Sequence, residues 1–217
     1  MDKPLKDKLG EVEPSYGTWE VLEQTYDIAS MLIKDGIEGA FVECGVGAGS
    51  SPAVMLLACE RAGVSRPIWG FDSFQGIPWA GENDDDQPGI GEKDPSKQGL
   101  LETSGVSAHS LEQVKGAFKH WQLDPDKVNW VEGWFQDTLP KVETGKIALL
   151  RLDGDLYDST LVCLHYLYPK LVKGGILIID DYQLPGCRQA FYDYFFPLEV
   201  PPLLHNLVGY CPSFIKL

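Results

Sequence analysis

Apolar residues recur along this chain in two alternating rhythms. Short, nearly unbroken apolar runs are separated by longer stretches with helical spacing. The runs are AFVEC (40–44), PIWGFDSF (67–74), KVNWVEG (127–133), IALLRLDGD (147–155) and GGILIIDD (174–181). Each run reads as a strand, and the fourth and fifth read as strands fully buried in a parallel sheet. Between them, Thr18 to Lys34 places Val21, Leu22, Tyr26, Ile28, Ala29, Leu32 and Ile33 at helical spacing. SSPAVMLLACERAG reads as a helix from Ser50 that stops at Gly63. SLEQVKGAFKHWQL reads as a helix capped by Ser107 or Ser110. TLVCLHYLY, with His165 expected in the core or an interface, and CRQAFYDYFF complete the helical set. The tail PLLHNLVGYCPSFIKL predicts a hairpin turning around Gly209-Tyr210-Cys211-Pro212. The alternation predicts an α/β fold: a doubly wound, mostly parallel sheet edged by a C-terminal antiparallel hairpin. It is expected to form one domain over 1–217. Residues 1–17 are polar and read as a loose arm. Residues 78–106, rich in Gly, Pro and Asp, read as a long lid loop, with Asp84-Asp85-Asp86 a solvated turn.

The bulk composition narrows the class. The chain has 217 residues, 44% of them hydrophobic, which suits a globular domain with a sizeable core. A net charge of −14 argues against nucleic acid or an anionic membrane as partner. The N-terminal stretch has no apolar core of the kind a signal peptide carries, and no apolar run approaches a membrane span of about 20 residues. Five scattered cysteines without a C-x-x-C read as reduced core residues of a cytoplasmic protein.

The chemistry concentrates where the runs end. FVECGVGAGSS places Gly45, Gly47 and Gly49 between the first strand and its helix, where backbone can approach a ligand. The dinucleotide pattern G-x-G-x-x-G requires glycine at position 50, which is Ser50, so a dehydrogenase is disfavoured. No G-K-[ST] follows, so a Walker loop is excluded. Glu43 at the strand end would repel a pyrophosphate and favour a cofactor with cationic groups, such as S-adenosylmethionine. Asp72, about 20 residues on, is placed to accept both hydroxyls of a ribose. Two acidic pairs, Asp153/Asp155 and Asp180/Asp181, follow the fourth and fifth runs. In an open parallel sheet the carboxyl ends of strands form the ligand crevice, so these acids can converge. Clustered carboxylate oxygens suit Mg²⁺ or a similar hard cation. Simple alternation puts Asp153 and Asp155 on one side of their strand.

FVECGVGAGSS, GFDSFQGIP, VEGWFQDTLP, LLRLDGDLYDST and GGILIIDDY, in that order over residues 41–182, resemble the macrocin-type, metal-dependent sugar O-methyltransferases of antibiotic biosynthesis. The resemblance implies a class I S-adenosylmethionine-dependent methyltransferase fold. It implies Mg²⁺ held by Asp153, Asp180 and Asp181, with Asp155 as general base. The cofactor would be met by Glu43, Gly45, Gly47, Gly49, Ser50, Asp72, Ser73 and Asp153. Gly133, Trp134 and Phe135 would flank its adenine, an aromatic stacking on it. Tyr157, Asp158 and Arg188 lie near enough in sequence to line an acceptor site. The expected acceptor is a sugar or glycosylated natural product, since two neighbouring hydroxyls can chelate one ion; a homodimer is left open as the assembly. Related catechol methyltransferases use a lysine base three residues after the first metal aspartate, and Leu156 stands there. A phenol or catechol methyltransferase and a non-catalytic cofactor-binding scaffold are the alternative readings. The chain departs from the best-known members in having only about 40 residues before its first strand.

Overall fold

A computed structural model of the chain describes residues 18–84, 90, 93–98 and 100–217. The expected arm (1–17), part of the expected lid loop, and Asp85 and Asp86 lie outside the described residues. All five expected strands form: β1 (Ala40–Cys44), β2 (Ile68–Asp72), β3 (Val128–Glu132), β4 (Ile147–Leu152) and β5 (Leu171–Ile179). Helix α1 (Trp19–Lys34) precedes β1. Helices α2 (Ser50–Ala62), α3 (Leu111–His120), α4 (Phe135–Thr138), α5 (Tyr157–Leu167) and α6 (Pro185–Phe195) fall between strands, and β6 (Leu203–Val208) and β7 (Cys211–Ile215) close the chain as a hairpin. Ser110, not Ser107, caps α3: its hydroxyl accepts the N–H of Gln113, whose side chain accepts the N–H of Ser110 in return. Gly63 ends α2 in the left-handed conformation.

The strands lie in the order β3-β2-β1-β4-β5-β7-β6, parallel through β5 and antiparallel beyond it. The chain order reverses between β1 and β4, the point at which a doubly wound sheet opens a crevice beyond its carboxyl ends. Alternate residues of the strands feed two apolar layers. Phe41, Ile68, Leu149, Ile176 and Ile178 pack with α1, α2 and α3. Val42, Cys44, Leu150, Leu152, Leu177 and Ile179 pack with α5 and α6. Helix α2 is buried along most of its length, as its all-round apolar sequence requires. All five cysteines are free and buried. His165, by contrast, is exposed on α5, its ring edge-on to Tyr194. The apolar stripe of α5 passes through Cys163, Leu164 and Leu167 and leaves position 165 on the outer face. Among the described residues no helix is long and apolar enough to cross a membrane.

Candidate active site

The carboxyl ends of β1, β2 and β4 open into a cavity of about 270 Å³. Gly45, Gly47 and Ser50 of the glycine loop line it, with Asp72 at the end of β2, Ser73 just beyond it, and Trp134 and Phe135 beyond β3. Asp153, Asp155, Asp180 and Asp181 line it as well. Val21 and Leu22 of α1 reach the same cavity, a contribution the periodicity of that helix does not reveal, since its inward face looked like plain core.

The glycines have distinct duties. Gly45 (φ +90°) lies where β1 passes β4, and a Cβ there would sit 1.6 Å from the carbonyl oxygen of Asp153. Gly49 (φ +96°) is outside the cavity lining; a Cβ on it would meet Val114 of α3 at 2.9 Å, so it serves helix packing. Asp72 organises the loop. Its Oδ2 accepts the N–H of Val46 (2.7 Å) and Gly47 (3.1 Å), and its Oδ1 accepts that of Phe74 (2.7 Å). Burial raises the pKa of Asp72, opposed by those three N–H groups. The Ser73 hydroxyl donates to the carbonyl of Gly76. Gly133 (φ +137°) turns the chain away from β3, its N–H donating to the carbonyl of Asp72.

Glu43 is 0% exposed and lies outside the cavity lining. Its cross-strand neighbour is Arg151, itself 2% exposed, and the two form a buried ion pair. The cationic group that Glu43 meets is therefore part of the protein. The same guanidinium donates to Asp153 Oδ2 (2.7 Å) and to Asp180 Oδ1. Burial disfavours the charge of Arg151, but Asp180, Glu43 and Asp153 outweigh it and keep the group firmly protonated. Sequence reasoning passed over Arg151, although a lone charge inside the run IALLRLD was the signal: a buried arginine demands partners.

Strand β4 ends at Leu152, so alternation does not align Asp153 with Asp155. A tight turn does, with Asp155 held at φ +59°. Aspartate is one of the few non-glycine residues that tolerate this region. The N–H of Asp155 donates to Asp181 Oδ2 (3.0 Å), tying the two acidic segments together. One carboxylate oxygen from each of Asp153, Asp155 and Asp181 lies within 4.8 Å of the others. Asp180, expected in that cluster, is on Arg151 instead. Burial, then the charge of Asp180, pushes Asp153 up to about 6, against the opposing pull of Arg151. Burial and their acidic neighbours raise Asp155 and Asp181 well above the usual carboxylate range. Three crowded carboxylates resisting ionisation are a donor set that a hard divalent cation would relieve.

Of the expected acceptor-side residues, the Tyr157 hydroxyl donates to Asp193 at the surface, and Arg188 donates to the carbonyls of Tyr182 and Gln183. None of Tyr157, Asp158 and Arg188 lines the cavity; Gln183 and Ser159 do.

The fold and this convergence define a class I S-adenosylmethionine-dependent methyltransferase architecture, which comparison with known proteins bears out. Residues 17–205 match the model of the macrocin-O-methyltransferase (TylF) family, and the chain belongs to that family. It is 42% identical over 164 residues to the 8-demethyl-8-(2,3-dimethoxy-alpha-L-rhamnosyl)-tetracenomycin-C 4'-O-methyltransferase of Streptomyces olivaceus, covering 75% of this chain and 60% of that one. It is 37% identical over 175 residues to the demethyldecarbamoylnovobiocin O-methyltransferase of Streptomyces niveus, covering 80% and 64%. The chain thus spans about three-fifths of the length of these curated relatives. Among solved structures, the O-methyltransferase NovP superposes with a TM-score of 0.78 at 34% identity, over 91% of this chain and 79% of that one. The calicheamicin methyltransferase CalS11 shares the fold, with a TM-score of 0.60 at 20% identity over 99% and 87% of the two chains.

Proposed function

We propose that the protein transfers a methyl group from S-adenosylmethionine to a hydroxyl of a sugar, or similar vicinal diol, on a small natural-product molecule. The observation that carries this reading is the opening of the glycine loop, Asp72 and the acid cluster into one cavity. The rhamnosyl substrate in the name of the S. olivaceus relative supports a sugar as the acceptor class.

S-adenosylmethionine, when bound, supplies a methyl group already activated by its sulfonium. Asp72 would accept its ribose hydroxyls, and Trp134 or Phe135, which line the cavity, would stack on its adenine. Glu43 acts from beneath the site, by balancing Arg151. Mg²⁺ or a similar cation would be held by Asp153 and Asp181, with Asp180 as the further ligand, and would supply a Lewis acid that makes a sugar hydroxyl more acidic. Asp155 accepts the hydroxyl proton. With the hydroxyl made more acidic in this way, a neighbouring carboxylate would be a strong enough base.

Calorimetric titration with S-adenosylhomocysteine tests the cofactor half of the reading. Wild-type protein binds it and Asp72→Ala binds it weakly. Tight binding of NAD with none of S-adenosylhomocysteine would overturn the reading.

A further inference from the structure

The acidic run that the sequence suggests is a solvated turn begins with a residue that is nothing of the kind. Asp84 is 5% exposed. Its Oδ1 accepts the N–H of Tyr157 at 2.8 Å, and its Oδ2 accepts that of Gly81 at 2.9 Å. Tyr157 opens α5, directly after the turn that bears Asp153 and Asp155. The residue in the capping position of α5 is Leu156, which makes no side-chain cap for the helix's first N–H groups. Asp84 supplies one from 73 residues away.

Helix α6 follows the other acidic segment, and the residue before it, Leu184, also makes no side-chain cap. The start of α6 is shaped around Asp84: a Cβ on Gly186 would fall 2.0 Å from Asp84 Oδ1. A carboxylate between two helix N-termini is electrostatically favoured as well. Ile77, Ala80 and Leu156 form a small apolar cluster with Val106, which holds the chain around Asp84 against the same turn.

We infer that Asp84 is a positioning residue for the acid cluster, fixing the first turn of α5 and thereby the placement of Asp155 and Asp153. Its consequence for catalysis rests on the methyl-transfer reading. The coupling is short: Leu156 separates Tyr157 from Asp155, whose own N–H is bonded to Asp181. Asparagine cannot replace Asp84, because an amide has one acceptor oxygen and would turn its NH₂ toward a second N–H donor.

The test uses the full chain with Asp84→Asn and, as an independent disturbance of the same contact, Gly186→Ala. Three quantities are read: amide exchange at Tyr157, Mn²⁺ affinity and S-adenosylhomocysteine affinity. Each variant should lose exchange protection at Tyr157 and bind Mn²⁺ about 10-fold or more weakly, with S-adenosylhomocysteine affinity held within roughly threefold, as expected for a group that orients ligands without touching the ion. Mn²⁺ affinity unchanged in both variants would overturn the proposal, as would parallel loss of both affinities, which marks general loosening. Wild-type protein that binds neither probe would overturn the methyl-transfer reading and the functional part of this proposal with it. A wild type that binds both, beside an indistinguishable Asp84→Asn, would overturn the role of Asp84 alone.

Discussion

A guanidinium inside a parallel sheet has to be balanced by carboxylates, and Arg151 has three. This changes the meaning of its neighbours. Glu43 was legible as an acid at a strand end, because motif spacing fixes position along a strand. Which face it takes, and what waits there, depends on the register with β4, which local sequence does not carry. Asp72 and the four acids after β4 and β5 were legible for the opposite reason: strand ends in this fold all point to one crevice. Two outcomes follow at this scale. Arg151→Met removes one partner of a buried network, so urea unfolding should show a loss of about 3–5 kcal/mol. Asp155→Asn should lower methyl transfer by roughly 10²–10⁴-fold while S-adenosylhomocysteine binding is kept. The same variant should be more stable than wild type when metal is chelated. The folded pKa of Asp155 lies above its unfolded value, so its ionisation opposes folding. Its contribution to stability is full below the unfolded carboxylate pKa of about 4 and is lost as pH rises toward the folded value. The stability advantage of the variant in chelator should therefore grow from pH 4 to pH 7; an advantage that shrinks over that range would contradict the raised pKa.

Elements were read most securely where a local signal fixes them. Apolar runs gave the strands and Gly63 the end of α2, while the choice between Ser107 and Ser110 as cap of α3 is made by the structure. The errors fall at irregular joints. Alternation was extended past Leu152, but the chain leaves the strand there and a left-handed Asp155 reverses it. The short α4 has too few residues to show a period. Asp84 looked solvated because its partners, Tyr157 and Gly186, lie more than seventy residues away in sequence. Gly45 is the joint where two elements meet most closely. Gly45→Ala combines a positive φ with a Cβ 1.6 Å from Asp153 O, so β1 and β4 must part to admit it. Thermal unfolding should show a loss of about 3 kcal/mol or more, with S-adenosylhomocysteine binding lost as well. A fully stable, fully binding Gly45→Ala would show that the two strand ends are not packed as described.

At the scale of the whole molecule, strand–helix alternation was enough to give a doubly wound sheet, but not its strand order. The reversal between β1 and β4 is a long-range fact, and it brings a glycine loop, a ribose-type aspartate and an acid cluster from distant parts of the chain to one cavity. Arg151 lines that cavity and pairs with Glu43, Asp153 and Asp180. Cation-assisted methyl transfer to a sugar hydroxyl in this one cavity, as proposed, is tested most directly by transfer of a labelled methyl group from S-adenosylmethionine to rhamnosylated natural products bearing a free vicinal diol, measured with chelator and again after adding Mg²⁺. Chelator should abolish labelling and Mg²⁺ should restore it; full labelling in chelator would rule out cation-assisted transfer.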